Sequence, residues 1–154
     1  MGMHEYREVI ERFCDEADIE QVERILHEGL LYLDDTPAVL EYLEEQEACR
    51  IALDLGKPDG PGAQAVYSLL LEWNFRNVQL HAPVMGLEPD SGHIVLALVL
   101  PLAMLEEVGL MEVLDDEVAP LLEAWEDLRE EIGRGGSERE TAPRQKEPSS
   151  GNFV

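Results

Sequence analysis

AQAVYSLLLEWNFRNVQLHAPVMGLEPDSGHIVLALVLPL, residues 63–102, passes from a helical to a strand-like hydrophobic period. Val66, Leu69, Leu70 and Trp73 fall at i, i+3, i+4 and i+7, the spacing that lines apolar groups along one side of a helix. The segment from Val78 to Leu87 then reads as a strand, followed by a turn at Glu88-Pro89-Asp90-Ser91-Gly92 and the most apolar run of the chain, His93 to Leu100. Pro89 suits the second position of a turn and Gly92 its close, so the two strands are expected to be adjacent and antiparallel. Ile94 to Leu100 is apolar on both faces. A strand of that kind must be covered on both sides or offered to a partner.

Working back towards the N-terminus, GKPDGPG at Gly56 to Gly62 interrupts the chain, and residues 30–55 carry a period of two. Three strands fit there: Leu30 to Leu33, Ala38 to Leu43, and Ala48 to Leu55, with turns at Asp34-Asp35-Thr36-Pro37 and Glu44-Glu45-Gln46-Glu47. Tight turns pair Leu40 with Ile51 and set Glu41 opposite Arg50. Cys49, Ile51, Leu53 and Leu55 then face the core with Leu31 and Leu33. Leu30, Tyr32, Val39 and Leu43 are left on the other face, which is more apolar than solvent requires.

Tyr6, Val9, Ile10, Phe13 and Ala17 mark a first helix, and Asp18 with Gln21 has capping-box spacing ahead of a short helical turn that ends at Gly29. Beyond Pro101, residues Met104 to Val113 read as a short helix or a loop. Val118, Leu121, Leu122, Trp125, Leu128 and Ile132 form the stripe of a C-terminal helix, expected to begin near Asp116 or Glu117 so that Pro120 falls in its first turn. Residues 134–154 are polar and expected to be disordered, leaving residues 1–133 as the single domain.

The formal charge is −23 over 154 residues. Residues 1–133 hold 31 acids and 7 bases, so the acidity belongs to the folded part. Such a field repels nucleic-acid phosphate and anionic membrane, and no apolar run approaches the roughly 20 residues of a membrane span. The charged N-terminus does not read as a secretory signal, and Cys14 and Cys49, far apart and without CxxC spacing, fit a reduced cytosolic protein. His4, His27, His81 and His93 form no metal motif, although His81 and His93 could meet across the hairpin. Neither a Walker loop nor GxGxxG is present. Acid pairs such as Asp34-Asp35 and Asp115-Asp116-Glu117 lack calcium-loop spacing and read as a solvated face. The expectation is a non-enzymatic protein with no catalytic residue, cofactor or metal, whose surplus apolar surface serves a protein partner.

LLEWNFRNVQLHAPVMGLEPDSGHIVLALVLPL, preceded by LDDTPAVLEYLEEQEACRIALDLG and an N-terminal helix and followed by an acidic helix with Trp125, resembles the class I type III secretion chaperones of the CesT/Tir chaperone family. The likeness covers residues 5–132. It implies an α+β fold, a two-layer α/β sandwich of order α-β-β-β-α-β-β-α with an antiparallel sheet, that forms a homodimer. It also implies a function: such chaperones bind the N-terminal region of a secreted effector in the bacterial cytoplasm, hold it largely extended, and hydrolyse nothing. On this reading Val66, Leu69, Leu70, Trp73, Val78, Leu80 and Val84 supply dimer contacts, and Leu30, Tyr32, Val39 and Leu43 contribute to the client surface. The alternative is a small acidic inhibitor or immunity-type protein that masks a basic partner, or an enzyme using carboxylates that no motif marks.

Overall fold

A computed structural model describes residues 2–141, with side chains as far as Ile132. Helix α1 (Gly2–Glu16) buries Tyr6, Val9, Ile10 and Phe13 of the stripe its spacing predicts, with Cys14 beside them, and ends before Ala17. Helix α2 (Val22–Glu28) ends at Gly29, whose φ of 69° is the left-handed conformation that closes a helix, with its N–H donating to the Ile25 carbonyl. The capping box does not form. Asp18 itself takes a left-handed φ of 55°, and the N-cap Gln21 makes no side-chain capping bond, its Oε1 instead accepting from Arg24 Nη1 at 3.3 Å.

Strands β1 (Leu30–Leu33), β2 (Thr36–Leu43) and β3 (Ala48–Asp54) form an antiparallel meander. Leu40 lies opposite Ile51 and Glu41 opposite Arg50, the register that the two turns impose. Helix α3 (Ala63–Arg76) follows, then β4 (Val84–Leu87) and β5 (Ile94–Pro101), giving the sheet order β1-β2-β3-β5-β4. All neighbours in it are antiparallel. The turn between β4 and β5 closes through the Gly92 N–H on the Glu88 carbonyl at 2.8 Å, with Gly92 at a φ of 76°. The Glu88 carboxylate accepts from the Asp90 and Ser91 amides.

Two expectations for the C-terminal half need correction. Residues 78–83, read as the start of a strand, are irregular: His81 takes a φ of 60°, and Pro83 breaks the amide row. Beyond β5, helices α4 (Leu102–Val108) and α5 (Leu110–Val113) run into a π-helical turn, Leu114–Val118, and then α6 (Ala119–Thr141). The C-terminal helical run thus begins before Asp116, because the turn ahead of Pro120 widens, with the Ala119 N–H reaching the Leu114 carbonyl. Backbone helix continues to Thr141, past the boundary set at Gly133, and the rest of the expected disordered tail lies outside the described residues.

The inner sheet face carries Leu31, Ala38, Leu40, Cys49, Ile51, Leu53, Ile94, Leu96, Leu98 and Leu100, all buried under a helical layer in which α1 packs on α4 and α5. Tyr6 of α1 stacks on Tyr42 of β2 with ring centroids 5.2 Å apart. Both cysteines are free and buried.

Burial pushes the Cys49 thiol up to about 12. Burial, then the nearby Cys49 and Glu41, also raises the Tyr6 phenol. Each group therefore holds its proton more tightly folded than unfolded. This contribution to stability is fully present below the ordinary thiol value of 9.0 and is lost as pH rises from there towards 12. Urea midpoints are expected to fall between pH 9 and 11, and to fall less steeply in Cys49→Val; equal slopes would exclude Cys49 from the effect.

Candidate functional site

The register that buries one face of the sheet fixes what the other face displays. Leu30 and Tyr32 of β1, Val39 of β2, Val84 of β4 and Val99 of β5 are exposed, and Ala52, Val95 and Ala97 sit half-buried between them. Tyr32, with 73% of its surface free, stands out furthest. Leu43 also faces outward but is half-buried at the end of its strand. The main charges on this face are the Glu41–Arg50 pair, 3.7 Å apart across β2 and β3, and Asp54. Among the described residues no helix shields the face. Helix α2 and the segment before it form one wall of a groove beside it, in which Ile19, Arg24 and Ile25 approach Leu30, Tyr32, Pro37 and Val39.

The two edges of the sheet differ. On β1, the Leu40 N–H donates to the Gly29 carbonyl at 2.7 Å, so by antiparallel alternation Leu31 and Leu33 turn their polar groups to β2. Leu30 and Tyr32 turn theirs outward, where a further strand could pair. On β4, the Glu88 N–H donates to the His93 carbonyl, so Gly86 and Val84 face β5 and Met85 and Leu87 face away. Asn74 of α3 meets Met85 there: its Nδ2 donates to the Met85 carbonyl at 2.8 Å, and its Oδ1 accepts from the Met85 N–H at 2.9 Å.

A second apolar surface is formed by α3 and the segment after it. Val66 and Leu70 are only 4% and 9% exposed and fasten the helix to the core, and Trp73 packs against the same cluster. These three positions of the expected dimer set are occupied within the chain. Leu69, Val78, Leu80 and Val84 are exposed, Val78 and Leu80 to 87% and 86%. Leu71 and Phe75 join them, and neither belongs to the expected dimer set. The signal was present: Leu71, Phe75 and Val78 repeat at i, i+4 and i+7, a second stripe beside the one that faces the core.

Polar chemistry is sparse. His81 and His93 do not meet, because His81 lies in the irregular segment before β4. His93 is engaged instead by Asp54, with Nδ1 at 2.9 Å and 3.0 Å from the two carboxylate oxygens. Burial works to raise the Asp54 carboxyl, but hydrogen bonds from the Gly56 N–H and His93 outweigh it and hold the carboxyl below its ordinary value. The pair ties the end of β3 to the start of β5. Among the described residues, no group of three His, Cys, Asp or Glu is arranged to hold a metal ion, and no helix is long and apolar enough to cross a membrane. The arrangement can bury apolar side chains and extend a sheet.

No curated protein matches the chain. A family model described as the Tir chaperone protein (CesT) family matches residues 9–126, from the middle of α1 into α6.

Proposed function

The chain belongs to the Tir chaperone protein (CesT) family, and from that membership we propose that it acts as a homodimeric class I type III secretion chaperone in the bacterial cytoplasm. Its client is the N-terminal region of a secreted effector, which it keeps soluble and competent for export. The observation that carries this reading is the uncovered apolar sheet face with Leu30, Tyr32, Val39 and Val99 exposed in one chain. A lone subunit that kept such a face in water would forgo about 25 cal/mol for every Å² it could bury.

An effector segment held without its own tertiary fold can supply the missing cover. Its apolar side chains lie on the outer face, and its backbone pairs with the outward groups of Leu30 and Tyr32 on β1. The second apolar surface, on α3 and residues 78–84, meets its equivalent on a second copy, since an isologous dimer needs one self-complementary patch. The acidic exterior, at a net charge of −23, keeps the complex in solution and plays no part in gripping the client. The mechanism uses burial and strand pairing, with no hydrolysis and no cofactor.

Co-purification from the source cell, followed by limited proteolysis, tests the reading. The expected outcome is one co-eluting protein with a protected stretch near its N-terminus, retained when salt is raised to about 0.5 M. A folded enzyme with a basic active site, released by that salt, would instead identify an acidic inhibitor.

A further inference from the structure

We infer that Asn74, helped by Asn77 and Pro83, closes the β4 edge of the sheet to strand addition and so leaves β1 as its one extensible side. An open edge is a row of outward N–H and C=O groups that pairs with any extended chain, and folds that keep such edges block them. Here the blocking is local and complete over the first half of β4. The Asn74 carboxamide offers one donor and one acceptor in a plane, the same pair that a residue of a neighbouring strand would present. It uses both on Met85, at 2.8 and 2.9 Å. Two residues back along the same edge, the Pro83 carbonyl is taken by Asn77 Nδ2 at 3.3 Å, and Pro83 has no N–H to leave unpaired.

The sequence places both asparagines at the end of α3 for this purpose. Asn77 is the C-cap residue, with its own N–H donating to the Trp73 carbonyl. Asn74 lies three residues earlier, on the same side of the helix. Neither gains helix propensity over alanine there, so their value is in what the side chains hold. At β1 no equivalent exists: the outward groups of Leu30 and Tyr32 meet no side-chain hydrogen bond among the described residues. The consequence for a client rests on the chaperone reading, because it assigns a bound strand to β1. The closure of β4 does not.

The test uses the full chain without a client. In Asn74→Ala, exchange of the Met85 amide is expected to quicken by about tenfold or more, while the Gly86 amide, which faces β5, stays within about twofold. Sedimentation velocity across roughly 10 to 100 µM is expected to show new, concentration-dependent assemblies larger than the wild-type species. Adding Leu87→Lys, a charge on the same edge strand outside the proposed dimer contacts, should abolish them. Unchanged Met85 exchange, or faster exchange without new assemblies, would overturn the inference. Should Asn74→Ala fail to fold, the isosteric Asn74→Asp, which cannot donate to the Met85 carbonyl although it still accepts from the Met85 N–H, carries the association measurement alone, and absence of new assemblies there would overturn the inference. Failure here leaves the chaperone reading standing. Co-purification of a folded basic enzyme released by salt, with Asn74→Ala behaving as described, would separate the two in the other direction.

Discussion

The Tyr32→Glu, Val39→Glu double variant is expected to bind the effector segment at least about a hundredfold more weakly, with its oligomeric state and thermal midpoint little changed. Each glutamate would place a carboxylate where a client's apolar groups lie, at a cost of about 1–3 kcal/mol per site, and about 2.7 kcal/mol in sum already makes a hundredfold. The fold should tolerate both. Tyr32 and Val39 are exposed in the single chain and sit on the outer face, opposite Pro37 and Ala52 in the register, away from the helical layer. Isothermal titration against the isolated client segment gives the affinity, and sedimentation gives the assembly. An unaltered affinity with an intact dimer would remove this face from the client surface.

Val78→Asp with Leu80→Asp is expected to convert the dimer to monomer at tens of micromolar, a rise of about a hundredfold or more in the dimer dissociation constant. Both side chains are almost entirely free in one subunit, so charge there disturbs little until a second copy approaches. Leu70→Asp serves as the contrast. It puts a charge into the core cluster beneath α3 and is expected to unfold the chain, a loss of several kcal/mol. Wild-type protein that sediments as a monomer throughout this range would end the dimer proposal, whatever the variants do.

The sheet was legible in the sequence to the level of single pairs. Leu40 opposite Ile51 and Glu41 opposite Arg50 follow from short turns and a period of two, since a one-residue slip would turn Cys49, Ile51 and Leu53 out to solvent. The outer-face placement of Leu30, Tyr32, Val39 and Leu43 came with that register. What did not come through was governed by tertiary contacts. Val78 and Leu80 look like strand residues because they are apolar and alternate with polar ones. Yet Asn77 and Pro83 tie the segment into an irregular crossing, and β4 begins only at Val84. The stripe of α3 is visible in the sequence, but periodicity marks a stripe without saying which neighbour covers it, and Val66 and Leu70 turn to the core of their own chain. Asn74 was invisible for a further reason: an asparagine near the end of a helix is ordinary until the strand it holds is placed beside it.

The pairing of β3 with β5 orders events in time. It joins Asp54 to Val95 and Ala48 to Pro101, positions separated by some forty to fifty residues, and the centre of the sheet exists only once that loop has closed. A ribosome must therefore deliver the chain as far as Pro101 before β3 gains its second neighbour. Until then the β1–β3 meander, which could assemble early from local contacts, lacks α4, α5 and α6 and has only the helices that precede β5 to cover its inner face. The interval in which a nascent molecule is most prone to stick to others is thus written into the connection between its third and fifth strands.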